Sequence, residues 1–131
     1  MPNKKLALEW YNFAKRNIET AILLNRENHY TDVISIDIQQ AIEKALKAIY
    51  AFNNEKIPKT HALDILFNYT SEYIDWKNLD LKTLLIINDY YQSDRYPGPK
   101  YFMPLREELK SSIQFAEIIL EQVYNYIIKH E

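Results

Sequence analysis

Residues 30–52 read YTDVISIDIQQAIEKALKAIYAF, and this stretch decides the fold class. Ile34, Ile38, Ala41, Ala45, Ala48 or Ile49, and Phe52 recur every three or four residues, which is one stripe of a helix. Gln40, Glu43, Lys44 and Lys47 share the opposite, polar face. Glu43 precedes Lys47 by four residues, the favourable order for a pair on one helix. Thr31 or Asp32 is the expected N-cap. The Asn53-Asn54 pair ends the helix, and Pro58 keeps it from resuming at once.

The segments on either side repeat the pattern. From about Lys4 to Asn28, Leu6, Trp10, Phe13 or Ala14, Asn17 or Ile18, Ala21 and Leu24 lie at helical spacing. Thr60 is placed to cap a short helix from about His61 to Tyr69, with Ala62, Leu63, Leu66 and Phe67 apolar. A fourth helix is expected from about Asn78 to Gln92. Leu81, Leu84, Leu85, Ile86, Ile87, Tyr90 and Tyr91 make it apolar on more than one face. The stretch Ser93 to Lys100 contains Pro97, Gly98 and Pro99 and reads as a stiff loop. Pro104 suits the first position of a last helix to about Lys129. Its stripe is Leu105, Leu109, Ser112 or Ile113, Ala116, Leu120, Val123 and Ile127. The expectation is an all-α single domain over residues 1–131. It takes the form of an antiparallel four-helix bundle with one additional short helix, in up-down topology.

Composition agrees. The chain has 131 residues, enough for one domain with one core. Gly98 is the single glycine, whereas β-rich and βαβ folds need glycine in many turns. The same count excludes a phosphate-binding glycine loop. There is no cysteine, hence no disulfide and no thiolate metal site. His29, His61 and His130 show no metal-ligand spacing, so neither a metal nor another cofactor is expected. There is no Gly-x-Ser-x-Gly elbow. The Gly-Ser turn with paired aspartates that a nucleotidyltransferase needs is missing too. The formal net charge is −2, too little positive charge to hold long nucleic acid nonspecifically. The longest aliphatic run, Leu84 to Ile87, is far short of a membrane span. No targeting segment is visible, and a cytoplasmic location is expected.

Several segments, taken in order, resemble the HEPN family of small helical domains. They are Trp10 with Ala14, Ala21 and Leu24, then Gln39-Gln40-Ala41-Ile42-Glu43-Lys44-Ala45-Leu46-Lys47-Ala48. Next come Pro58 with His61-Ala62-Leu63 and Leu66, then Tyr90-Tyr91 with Arg95-Tyr96-Pro97, and finally the last helix with Ala116. The resemblance implies a helical bundle that usually dimerises and a link to nucleotides or RNA. Many members act as a pair with a minimal nucleotidyltransferase, and some are toxins of toxin–antitoxin systems that cut RNA. The cleaving members carry an arginine followed, after four to six residues, by a histidine. Counted from Arg95, those places hold Lys100, Tyr101 and Phe102. The arginine is kept and the histidine is missing, so no catalytic residue is assigned and the reading leans away from an enzyme.

The expected function is therefore a non-catalytic HEPN module that binds a nucleotide or other phosphate-bearing group and serves a minimal nucleotidyltransferase. The candidate ligand-binding residues are Arg95, Tyr96, Lys100, Tyr101, Lys44 and Lys47. Arg95 offers a guanidinium fork for phosphate, and its rival role is a structural salt bridge to Asp89, Asp94 or Glu108. Tyr96 either stacks on a base or packs. The face bearing Glu43, Lys44 and Lys47 is either an ordinary solvated surface or part of the anion site. His61 is expected to make local hydrogen bonds. Two alternatives stand beside this reading. One is an endoribonuclease with a degenerate motif, in which Tyr101 or His61 replaces the histidine. The other is a purely structural helical dimer or scaffold. A homodimer is expected from the apolar fourth helix and from a second strip on the last helix, Phe115, Ile118, Ile119 and Tyr126.

Overall fold

The computed structural model describes residues 1–77, 79–93, 97, 98 and 103–130. Five helices are found, α1 (Lys4–Arg26), α2 (Thr31–Phe52), α3 (Leu63–Thr70), α4 (Leu81–Ser93) and α5 (Arg106–Lys129), with no strand among the described residues. The fold is all-α, with four main helices and one short one.

Asparagine does the work that glycine does at many helix ends. Asn28 and Asn54 both adopt the left-handed conformation, each with φ 57°. Beyond them the chain closes back: the His29 N–H donates to the Leu24 carbonyl (2.9 Å) and the Glu55 N–H to the Tyr50 carbonyl (2.9 Å). Asparagine tolerates this backbone better than most residues, which is how a chain with one glycine still stops two long helices cleanly. At the other end of α1, Asn3 caps: its Oδ1 accepts the Leu6 N–H (3.1 Å). The Asn3 N–H donates to the Phe52 carbonyl (2.9 Å), so the start of α1 lies beside the end of α2 and the two run antiparallel. Arg106 locks the other end of this pair. Its guanidinium donates to Asn25 Oδ1 (2.7 Å) and to the His29 carbonyl (2.6 Å), which ties the first turn of α5 to the α1–α2 turn.

The central element is α2, which alone contacts all four other helices. Sixteen of its 22 residues are buried, and from Ala45 to Phe52 burial is continuous round the helix. Of the two readings of the polar face on this helix, the solvated one fails for Glu43 and Lys47, which are buried, while Gln40 and Lys44 stay partly exposed. The core contributed by α1 consists of small residues, Ala7, Ala14 and Ala21 with Ile18, which let α1 and α2 approach closely.

Several helix starts also differ from expectation. Tyr30, not Thr31 or Asp32, is the N-cap of α2, and it makes no side-chain cap bond. Thr31 lies inside the first turn, buried, and its Oγ1 has no hydrogen-bond partner among the described residues. Helix α3 begins two residues after His61. Thr60 Oγ1 accepts the Ala62 N–H (3.1 Å), and the Leu63 N–H is taken by Asn88 Oδ1 from α4 (2.8 Å). Helix α4 begins at Leu81, where Asp80 accepts from the Thr83 N–H (3.1 Å) and hydroxyl (2.6 Å). Those bonds hold the Asp80 carboxyl below its ordinary value. Pro104 precedes α5 rather than opening it.

The apolar surplus is largely buried within the chain. On α4, Leu84, Ile87 and Tyr90 enter the core, while Leu81 and Leu85 stay exposed. On α5, Phe115, Ile119 and Tyr126 are buried and Ile118 alone of that strip is exposed. The segment between α3 and α4 supplies the cover. Tyr73 meets the Tyr126 ring edge-on (6.2 Å), and Trp76 lies against Phe67 (5.1 Å) with its Nε1 donating to Thr70 Oγ1 (3.1 Å). The second strip of α5 is thus an intramolecular surface. Tyrosines such as Tyr50, stacked on Tyr69 at 3.9 Å, belong to the same packing. Burial pushes both phenols above their ordinary values, so they stay protonated and neutral near neutral pH.

Candidate functional site

Residues four apart on a helix stack on one face, and α2 places Gln39, Glu43 and Lys47 in such a row. All three are at least 95 % buried: Gln39 is 0 %, Glu43 4 % and Lys47 5 % exposed. Their polar atoms satisfy one another. Lys47 Nζ donates to Glu43 Oε2 (2.9 Å), and Gln39 Nε2 donates to Glu43 Oε1 (3.2 Å) and to the His61 carbonyl (3.0 Å). The fourth member, His61, comes from the connection between α2 and α3. Its Nδ1 lies 2.9 Å from Glu43 Oε1. Facing a carboxylate oxygen, Nδ1 must carry its hydrogen, so in the neutral ring Nε2 is the free acceptor.

The imidazole is fixed on a second side by Tyr91 of α4, whose ring stacks on it at 4.1 Å and 17°. The His61 side chain is 41 % exposed, and it stands in a cleft of about 330 Å³ lined by Thr60, Ala62, Asn88, Asp89 and Tyr91 as well. Asn88 sits three residues before Tyr91, on the same side of α4, and holds the N-terminus of α3. Three elements therefore converge on one cleft: the turn before α3, α4, and behind them the buried row of α2.

Lys44 belongs to a different environment. Its Nζ donates to Asn17 Oδ1 (2.8 Å), and Asn17 Nδ2 donates to Asp37 Oδ1 (3.1 Å), so this trio bridges α1 and α2. Lys44 also lines a shallow hollow with Phe13, Arg16, Asn17 and Thr20. Burial raises the Asp37 pKa, and the Asn17 hydrogen bond and the Lys44 charge only partly offset it. Lys44 and Lys47 are three residues apart in sequence, yet their ammonium groups have different partners, Asn17 of α1 and Glu43 of α2. Arg95, Tyr96, Lys100 and Tyr101 lie outside the described residues. Of the acidic groups weighed as partners for Arg95, Asp89 lines the His61 cleft, and Glu108 Oε2 accepts the Tyr90 hydroxyl (2.6 Å). Among the described residues no group of three or more His, Asp or Glu is placed to hold a metal ion, and no helix is long and apolar enough to cross a membrane.

Sequence reasoning paired Glu43 with Lys47 and singled out His61, but did not join His61 to that pair. It missed Gln39, Asn88 and Tyr91 as parts of one site. The readable signal was the row of polar residues at 39, 43 and 47 in a helix whose remaining positions are mostly apolar.

The HEPN domain model matches residues 7–126, and the chain belongs to the HEPN domain family. Two crystal structures share the fold. TT1696 from Thermus thermophilus is 23 % identical with a TM-score of 0.75, covering 92 % of this chain and 97 % of that one. ST0689, an archaeal HEPN homologue, is 21 % identical with a TM-score of 0.71 and the same coverages. No curated protein matches.

Two consequences follow for stability. Replacing Lys47 with Met leaves Glu43 buried beside no cation, and such a loss typically costs about 3–5 kcal/mol. Chemical denaturation of Lys47→Met should show a loss of that order, and the joint Glu43→Gln/Lys47→Met variant should regain part of it. For Asp37, the folded pKa lies above the unfolded value. Its contribution is therefore fully present below the unfolded pKa and declines as pH rises through the folded one. Melting curves of wild type and Asp37→Asn from about pH 3 to about pH 7 should shift against wild type as pH rises. Parallel curves would refute the burial of that charge.

Proposed function

We propose that this chain is a non-catalytic HEPN module that binds a nucleotide or another phosphate-bearing group and serves a minimal nucleotidyltransferase as a homodimer. The observation that carries the reading is the held histidine. Glu43 fixes the orientation of His61 at 2.9 Å while its other oxygen is held by Lys47 at 2.9 Å, so the carboxylate is shared between a cation and the imidazole. Such an arrangement suits recognition better than acid–base turnover. The sequence supports it independently, since Arg95 remains to meet a phosphate and no histidine follows it at the spacing of the cleaving members. HEPN domains commonly dimerise. The exposed Leu81 and Leu85 of α4 are apolar surface of the kind a second copy would cover.

A second reading, a degenerate endoribonuclease, is favoured by one feature. A half-exposed imidazole backed by a carboxylate is also how a general base is held.

Titration of ATP at low salt separates these. The wild type should bind in the micromolar-to-millimolar range, weaken steeply with salt, and lose about tenfold or more in Arg95→Ala. Equal binding by wild type and variant would place the phosphate elsewhere. Incubation with mixed RNA should give no cleavage above a mock preparation. Cleavage abolished by His61→Ala would establish the second reading. Sedimentation at micromolar concentration should show a dimer, and a monomer there would remove the homodimer from the proposal.

A further inference from the structure

Among the described residues, the lining of the His61 cleft is polar but carries no positively charged side chain. Of its lining residues, only Ala62 lacks a polar side-chain atom, and among the described residues neither Lys nor Arg lines it. Asp89 adds a carboxylate. Lys47, behind the cleft, is bonded to Glu43. A phosphate placed among these residues would meet net negative charge. The free atom of His61 points to the opposite chemistry. With Nδ1 given to Glu43, Nε2 of the neutral ring accepts a hydrogen bond, and it makes none among the described residues. The cleft therefore presents two acceptors, His61 Nε2 and the Asp89 carboxylate. Thr60 adds a hydroxyl whose oxygen already accepts from the Ala62 N–H, leaving its proton to donate. Acceptors with hydroxyl and amide donors beside them, from Thr60 and Asn88, match adjacent hydroxyl groups, each of which gives one hydrogen bond and can take another.

The acceptor is also unusually well fixed. A surface histidine ordinarily turns about two side-chain bonds. Here a buried carboxylate holds one edge at 2.9 Å and a stacked ring holds one face at 4.1 Å. The supporting pair of charges is buried, and buried ion pairs add little net stability over apolar side chains of the same size. Its clear structural effect is to orient the imidazole, which lowers the entropy lost when a ligand binds. The volume, about 330 Å³, is at the small end of ligand sites, enough for a sugar ring.

We infer that the cleft between α4 and the turn before α3 is a subsite for the vicinal diol of a ribose, with His61 Nε2 and Asp89 as acceptors and Glu43 positioning His61. This rests on the nucleotide reading above in taking a ribonucleoside as the source of the diol, and it places the sugar, not the phosphate, in this cleft.

The test reads the ring signals of His61 in ¹H–¹⁵N spectra of the full chain, assigned with His61→Ala, with His29 and His130 as internal controls. Adenosine at millimolar concentration should move His61 and neither of the other two. 2′,3′-Dideoxyadenosine should act about tenfold more weakly, since it lacks both hydroxyls. The unbound spectrum should show the neutral ring protonated on Nδ1, and Asp89→Asn should weaken adenosine several-fold. Equal response to the two nucleosides, an equal shift with inorganic phosphate, or a still His61 would each overturn the inference. Calorimetry with ATP on the same sample keeps the two proposals apart. ATP binding without movement of His61 removes the diol subsite and leaves nucleotide binding standing. Adenosine moving His61, with ATP binding no tighter than adenosine, keeps the subsite and removes the phosphate contact.

Discussion

A carboxylate buried inside a helix that is itself buried needs all of its hydrogen-bonding capacity met. Glu43 meets this need with donors from two directions: Lys47 and Gln39 on its own helix, and His61 from the connection that follows. That constraint shapes what surrounds it. The connection between α2 and α3 must pass close enough to deliver an imidazole and a carbonyl, and Gln39 fixes the latter. The turn before α3 then lies against α4, where Tyr91 covers the ring and Asn88 receives the first amide of α3. Remove the carboxylate and the histidine, the turn and the short helix each lose an anchor.

The long helices were legible in the sequence because their signal is periodic and local. The ends of α1 and α2 fall within a few residues of the expected positions, since Asn53-Asn54 is a stop that needs no tertiary partner. The starts of α3 and α5 were not legible to the residue. Asn88 is 25 positions from the amide it caps, and no pattern near residue 63 announces it. The same holds for the face of α2. A polar row on a helix is normally solvated, and periodicity alone cannot tell that four other helices pack around this one. Glu43 and Lys47 were seen as a pair, but their burial is a property of the assembled fold.

The candidate site divides along the same line. Residues proposed from the family's arginine motif rest on sequence order, whereas His61, Tyr91 and Asn88 are brought together by packing. Lys44 shows the hazard of reading a face too broadly. It is one residue from Glu43, yet it bonds to Asn17 and serves the contact between α1 and α2. Proximity along the helix assigned Lys44 and Lys47 to one place, and the partner each ammonium group reaches separates them.

The capping of α3 by Asn88 bears on the order in which the chain can assemble. Eight residues are too few to hold a helix in water unaided, and α3 has no side-chain cap of its own. Its first amide finds an acceptor only when a residue 25 positions later is in place. During synthesis, α1 and α2 can close on each other as soon as both have emerged, because the Asn3 cap and the Asn28 and Asn54 stops lie within that pair. Residues 63–70 must wait, apolar and uncapped, until α4 exists. The cap of α3 and the cleft around His61 therefore depend on the same arrival: both are complete only with α4 in place.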